Sequence, residues 1–157
     1  MRPLFAIILT LLAGCGSKPP KTAAPAAAER PAPPPKPSDE SARFPKAGLL
    51  KTEVVDNHVL DKSFMPGGTV AHYRRGKSEY EMFVTKLANP TDAAILLLDW
   101  KKALTDAELI ASFGGYAGKD QGRPVFVFTK GAWLAGIAGL PQKQADLQAR
   151  LLAARLD

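Results

Sequence analysis

The sequence predicts a single small α+β domain, an antiparallel β-sheet packed against helices, in the order β-β-β-α-α-β-β-β-α. Three observations carry this. Two stretches fold back on themselves across two-residue turns, at Gly76-Lys77 and at Lys130-Gly131. Three others, opening at Asn89-Pro90, at Thr105 and at Pro141, begin with helix-starting residues followed by apolar spacing. The strands come in runs with helices between the runs, the order that builds a sheet with helices against it. Only residues 46–157 are rich enough in large apolar residues to form this domain, about 112 residues, one domain and too few for two.

The chain begins with a positive Arg2, a short apolar run from Pro3 to Leu12, and small residues leading to a thiol in Leu12-Ala13-Gly14-Cys15. That order is a secretory signal. The apolar run is about ten residues, half of the roughly 20 that a membrane-spanning helix needs. Cys15 is the only cysteine in the chain, so no intramolecular disulfide can form. The tetrapeptide resembles the lipobox of bacterial lipoproteins. The resemblance implies that residues 1–14 are a cleaved signal peptide. It also implies that Cys15 carries a diacylglycerol thioether with palmitate-type chains, holding the protein to a membrane. In Gram-negative members of that family an aspartate after the cysteine marks inner-membrane retention. Gly16 stands there, which implies the outer membrane, facing the periplasm, in such a cell and the cell membrane otherwise.

Residues 15–45 read as a tether. Nine of the fourteen prolines fall between Pro19 and Pro45, alanines cluster at Ala23-Ala24 and Ala26-Ala27-Ala28, and large apolar residues are absent before Phe44. Pro31-Ala32-Pro33-Pro34-Pro35 favours extended, polyproline-like chain. Fully extended at about 3.1 Å per residue, ~30 such residues reach roughly 90 Å. Charge divides the same way. Residues 16–46 carry a net +3 of the formal +6 and Arg2 another charge, which leaves +2 for residues 47–157. A near-neutral domain lacks the concentrated basic face that nucleic-acid binding requires.

The first hairpin pairs Thr69–Arg75 with Ser78–Leu87. Its register places Tyr73 opposite Tyr80 and Ala71 opposite Met82 on one face, and His72 opposite Glu81 and Arg74 opposite Glu79 on the other. One register thus yields an apolar side and two opposite-charge pairs. A weaker strand is expected within Glu53–Leu60. Asn89 caps a helix running to about Leu104, and Ile95-Leu96-Leu97-Leu98 covers enough of its circumference to predict extensive burial. Thr105 to Glu108 has the capping-box spacing and predicts a second, short helix. A strand at Phe113–Gly118, a turn through Lys119-Asp120-Gln121-Gly122, and a hairpin of Pro124–Thr129 with Ala132–Ala138 follow. Turning at Lys130-Gly131 sets Phe128 against Trp133 and Val127 against Leu134, strands apolar on both faces and therefore covered on both. The last helix opens at Pro141, with Leu147, Leu151, Leu152 and Leu156 as its apolar side.

Chemistry is sparse. His58 and His72 are the only histidines. Asp56-Asn57-His58 with Asp61 falls short of a metal-ligand set, which needs three or four well-placed donors. His72 already has Glu81 to pair with. There is no Gly-x-Ser-x-Gly elbow. The groups Pro66-Gly67-Gly68 and Phe113-Gly114-Gly115-Tyr116-Ala117-Gly118 match neither a phosphate loop nor a dinucleotide fingerprint. No metal, cofactor or catalytic residue is expected; Cys15 is the one modified residue. Phe64-Met65-Pro66-Gly67-Gly68, Tyr80-Glu81-Met82-Phe83-Val84, Phe113-Gly114-Gly115-Tyr116 and Phe126-Val127-Phe128-Thr129-Lys130-Gly131 resemble a group of uncharacterised secreted bacterial proteins. That resemblance covers about half the chain and implies no activity. The sequence therefore points to a membrane-tethered, non-enzymatic domain that binds a cell-envelope protein or polymer. Two alternatives stand beside it. One is a lipid-tethered, hydrolase-like enzyme using His58 or His72. The other is a small-ligand carrier with an apolar pocket lined by Trp100, Phe128 and Trp133.

Overall fold

A computed structural model describes residues 36–157 of the protein. The expected signal segment, Cys15 and most of the tether lie outside the described residues. The chain lays down β1 (Leu49–Asn57), β2 (Pro66–Arg75) and β3 (Ser78–Lys86) as a meander. It crosses one face of the sheet through α1 (Pro90–Ala103) to the far edge. There β4 (Thr105–Ile110), β5 (Gly115–Asp120), β6 (Arg123–Lys130) and β7 (Trp133–Ala138) meander back until β7 pairs with β3. The result is one seven-stranded antiparallel sheet, in the order β1-β2-β3-β7-β6-β5-β4, closed by α2 (Gln142–Ala153). The α+β class stands, with more sheet and less helix than the sequence suggested.

The first hairpin has the register that its side chains require: Tyr73 faces Tyr80, Ala71 faces Met82, His72 faces Glu81 and Arg74 faces Glu79. The two tyrosine rings stack with centroids 5.0 Å apart. Asn89 caps α1 as expected, its side-chain oxygen accepting the Asp92 N–H at 2.9 Å.

Three expectations are corrected. The capping-box segment at Thr105 is β4, not a helix. The glycines at 114–115 leave room for barely two turns, too few to repay helix nucleation, whereas pairing with β5 satisfies the backbone at once. The second hairpin turns at Gly131-Ala132, so Lys130 faces Trp133 and Phe128 faces Ala135. A slip of two residues keeps every side chain on its face, which is why alternation alone could not detect it. Burial of both helices is one-sided. Ile95 and Leu98 of α1, and Leu147 and Leu151 of α2, are about half exposed. Each helix is an outer layer and buries one stripe: Ala93, Leu96, Leu97 and Trp100 in α1, and Ala145, Ala149 and Leu152 in α2.

The sheet has two faces with separate cores. Under α2 lie Tyr73, Tyr80, Met82, Phe126, Phe128, Trp133 and Ile137. Residues 38–45, which the sequence reading assigned to the tether, pack beside them. Phe44 is fully buried, Tyr73 Oη donates to Pro45 O at 2.8 Å, and Arg43 stands 4.5 Å over the Trp133 ring. Under α1 lie Val70, Phe83, Val127 and Leu134, around a fully buried Trp100. Gly67 and Gly115, one from each glycine group, sit where a Cβ would come within 2.3 Å of a neighbouring backbone oxygen, Asp56 O and Val127 O. Close strand approach, not ligand binding, accounts for both groups.

Candidate functional site

Seven strands about 4.8 Å apart span roughly 29 Å between the outer two, and a helix with its side chains is about 10 Å wide. One helix cannot cover such a face. On the α1 face, the part left open is a cleft of about 450 Å³. Its floor is a row of paired residues: His72 on β2, Glu81 on β3, Ala138 on β7 and Val125 on β6. Glu53 closes it at β1, and Asp120, Gln121 and Arg123 close it at the β5–β6 turn.

The remaining wall is the segment between β1 and β2, folded back over the sheet. Val59 is fully buried, Phe64 packs edge-on against Trp100 at 5.5 Å, and Trp100 Nε1 donates to Met65 Sδ at 3.1 Å. These anchors hold three non-glycine residues in the left-handed region: His58 (φ 56°), Leu60 (φ 53°) and Asp61 (φ 58°). Leu60 is the strained one, because histidine and aspartate visit that region more readily. Such a conformation costs on the order of 1–2 kcal/mol and persists only where surrounding contacts over-determine it. Across the cleft, Lys62 Nζ meets Asp120 Oδ1 at 2.6 Å with both side chains mostly buried, clasping the wall to the β5–β6 turn.

A chain of charges runs along the floor. His72 Nε2 lies 2.8 Å from Glu53 Oε1, and its Nδ1 lies 3.1 Å from Glu81 Oε1. Arg123 Nη1 donates to Glu81 Oε2 at 2.8 Å, while its Nη2 donates to Ala138 O at 3.1 Å. The hydrogen bond from His72, and secondarily Lys51, holds the Glu53 carboxyl below the ordinary glutamate range. A neutral imidazole donates to only one of its two carboxylates, and a protonated ring donates to both. In either form each ring nitrogen faces a carboxylate, so neither is aimed at a substrate.

The structure thus brings His58, Asp61 and His72 into one cleft, and leaves Asp56 and Asn57 at the end of β1, outside it. Among the described residues no three His, Cys, Asp or Glu side chains form a group suited to a metal ion. Among the described residues, the lining holds no serine, threonine, cysteine or tyrosine. The apolar pocket expected at Trp100, Phe128 and Trp133 is not formed. All three are buried, with Trp100 in the core of one face and the other two in the core of the opposite face. Phe113 and Tyr116, close in sequence, lie on opposite faces of the sheet. Phe113 packs at 5.3 Å from Phe126 under α2, and Tyr116 lies on the α1 face.

Glu53, Lys62, Asp120 and Arg123 carry no sequence signal of a site. The one available clue was the face of β2 and β3 bearing His72 and Glu81, charged where a covered sheet should be apolar. No known protein family, curated protein or solved structure matches the chain significantly.

Proposed function

We propose that this is a membrane-tethered bacterial lipoprotein, anchored through Cys15, whose domain binds a polar component of the cell envelope in the cleft without chemically altering it. The observation that carries the binding reading is the double engagement of His72 by Glu53 and Glu81, with Arg123 locking Glu81. The network turns His72, Glu53 and Glu81 toward one another instead of toward a substrate, and it pre-organises a polar floor. A volume of about 450 Å³ falls in the usual range of small-ligand sites. The signal order and the lipobox-like tetrapeptide support the anchor, and Gly16 supports an outer-membrane address in a Gram-negative cell.

The test is a screen of envelope fragments (glycan pieces, stem-type peptides, lipid headgroups) by protein-observed NMR on the full-length chain in detergent. Shifts at His72, Glu81 and Arg123 that vanish in His72→Ala support the reading. Binding confined to other surfaces overturns it.

A second reading, a tethered hydrolase, draws on one observation. His58 lines the same cleft as His72 and makes no side-chain hydrogen bond among the described residues. Turnover of an ester or amide probe that is lost in His58→Ala and kept in His72→Ala favours it over pure binding.

A further inference from the structure

Among the described residues, β1 has no strand on its outer side. It is nine residues long, with Leu50 54% and Val54 41% exposed. An open edge is a row of unpaired N–H and C=O groups, a template for another strand. The opposite edge is blunted. β4 is six residues long, its register shifts between Thr105 and Glu108, Asp106 is left-handed at φ 54°, and Asp106 and Glu108 put like charges along it.

The sequence of β1 reads alike in both directions around Thr52: Leu50, Lys51, Thr52, Glu53, Val54, that is, apolar, charged, polar, charged, apolar. Lys51 and Glu53 share the cleft face, their side chains 62% and 46% exposed. We propose that β1 is a homodimerisation edge, two copies of this chain pairing their β1 strands antiparallel about a two-fold axis at Thr52. Lys51 of each copy then faces Glu53 of the other, and Leu50 faces Val54. Directly opposed residues share a face, so the axis must pass through a residue. One step toward the N-terminus sets Lys51 on Lys51, and one step the other way sets Glu53 on Glu53. Opposed like charges destabilise a pair and opposed unlike charges stabilise it, which selects the Thr52 register. A register shift between Leu49 and Lys51 ends the regular stretch, so the contact is short. It belongs to the weak class that depends on local concentration.

Sedimentation velocity of the full-length chain in non-ionic detergent, over a wide concentration range, tests this. A monomer–dimer equilibrium is expected. Lys51→Glu and Glu53→Lys should each weaken it about tenfold, because two attractive pairs become repulsive. The double swap Lys51→Glu/Glu53→Lys should restore it. Amide exchange at 50–54 should slow with concentration in the parent chain and not in Lys51→Glu, a readout that does not depend on how well Glu53→Lys folds. A chain that stays monomeric with unchanged exchange, or a dimer indifferent to the swaps, overturns the proposal.

Discussion

Thr85→Val should stabilise the domain, and Thr69→Val, the same change one strand away, should destabilise it. Both threonines are essentially fully buried. Thr69 is satisfied twice, its hydroxyl accepting from Glu40 N–H at 3.0 Å and donating to Ser38 O at 3.2 Å. Among the described residues, Thr85 Oγ1 has no partner. A buried hydroxyl without a hydrogen bond costs roughly 1–3 kcal/mol by protein mutational scales. Valine has the same β-branched shape and is equally at home in a strand, so the change removes the polar atom and little else. A gain of about 1 kcal/mol or more is expected at position 85, and a loss of about 1–2 kcal/mol at position 69, where two polar partners are stranded. On a domain of this size, 1 kcal/mol moves Tm by roughly 3–6 °C. Urea denaturation gives both signs directly, with unchanged m-values as the check on two-state behaviour. A destabilised Thr85→Val would refute the reasoning, since it would mean that the hydroxyl makes a hydrogen bond, through water or otherwise. The site matters for the cleft. A Cβ built on Gly68 would meet both Thr85 Oγ1 and Val59 Cγ2, so this spot adjoins the residue that anchors the cleft wall.

Three further outcomes are expected. Lys62→Met breaks the clasp to Asp120 and strands a mostly buried carboxylate; it should cost about 1–2 kcal/mol and speed amide exchange at residues 58–65. The folded-state pKa of Glu53 lies below its unfolded value, so its contribution is fully present above the unfolded value, near 4.3, and is lost as pH falls through the lower folded one. Glu53 is nearly half exposed, so Glu53→Gln should lower the neutral plateau of the stability–pH curve by only a few tenths of a kcal/mol and shrink the drop along its acid limb by the same amount. Cys15→Ser should abolish incorporation of labelled fatty acid, because serine cannot form the thioether; continued labelling would sink the lipobox reading.

The parts of the fold that sequence exposed are those where two local rules agree. At the first hairpin, turn residues and cross-strand pairs both demand one register, and it is the one found. At Thr105 a capping-box pattern stood alone, with no length behind it, and the sheet won. At Leu147 and Leu151 apolar type suggested burial, yet the small Ala145 and Ala149 face the core instead, since α2 lies close on the sheet. Hydrophobicity does not say which stripe is buried when both stripes carry aliphatic residues. The site was legible only in outline. His72 with Glu81 followed from the register, while Glu53, Arg123 and Lys62 reach the cleft through pairings remote in sequence. The left-handed Leu60 has no local signal at all.

A wide sheet with one helix per face leaves an uncovered strip on each side, and the two faces deal with it differently. On the α1 face the strip is polar: His72, Glu81 and Arg123 tolerate water, and a cleft results. On the α2 face the matching strip carries Tyr73 and Tyr80 and needs a cover, which residues 38–45 supply. Phe44 is the plug of that cover, fully buried beside Tyr73 and Trp133. Phe44→Ala should therefore cost about 3–5 kcal/mol, as for other buried phenylalanines. That is a large share of the 5–15 kcal/mol typical of a domain. His72→Ala, on the polar strip, should cost no more than about 1 kcal/mol. Thermal unfolding of the two variants decides between this account and one in which the chain before residue 46 is only a spacer. A spacer predicts no loss on altering Phe44, and a near-parental Tm for Phe44→Ala would show that the α2 face is sealed without it.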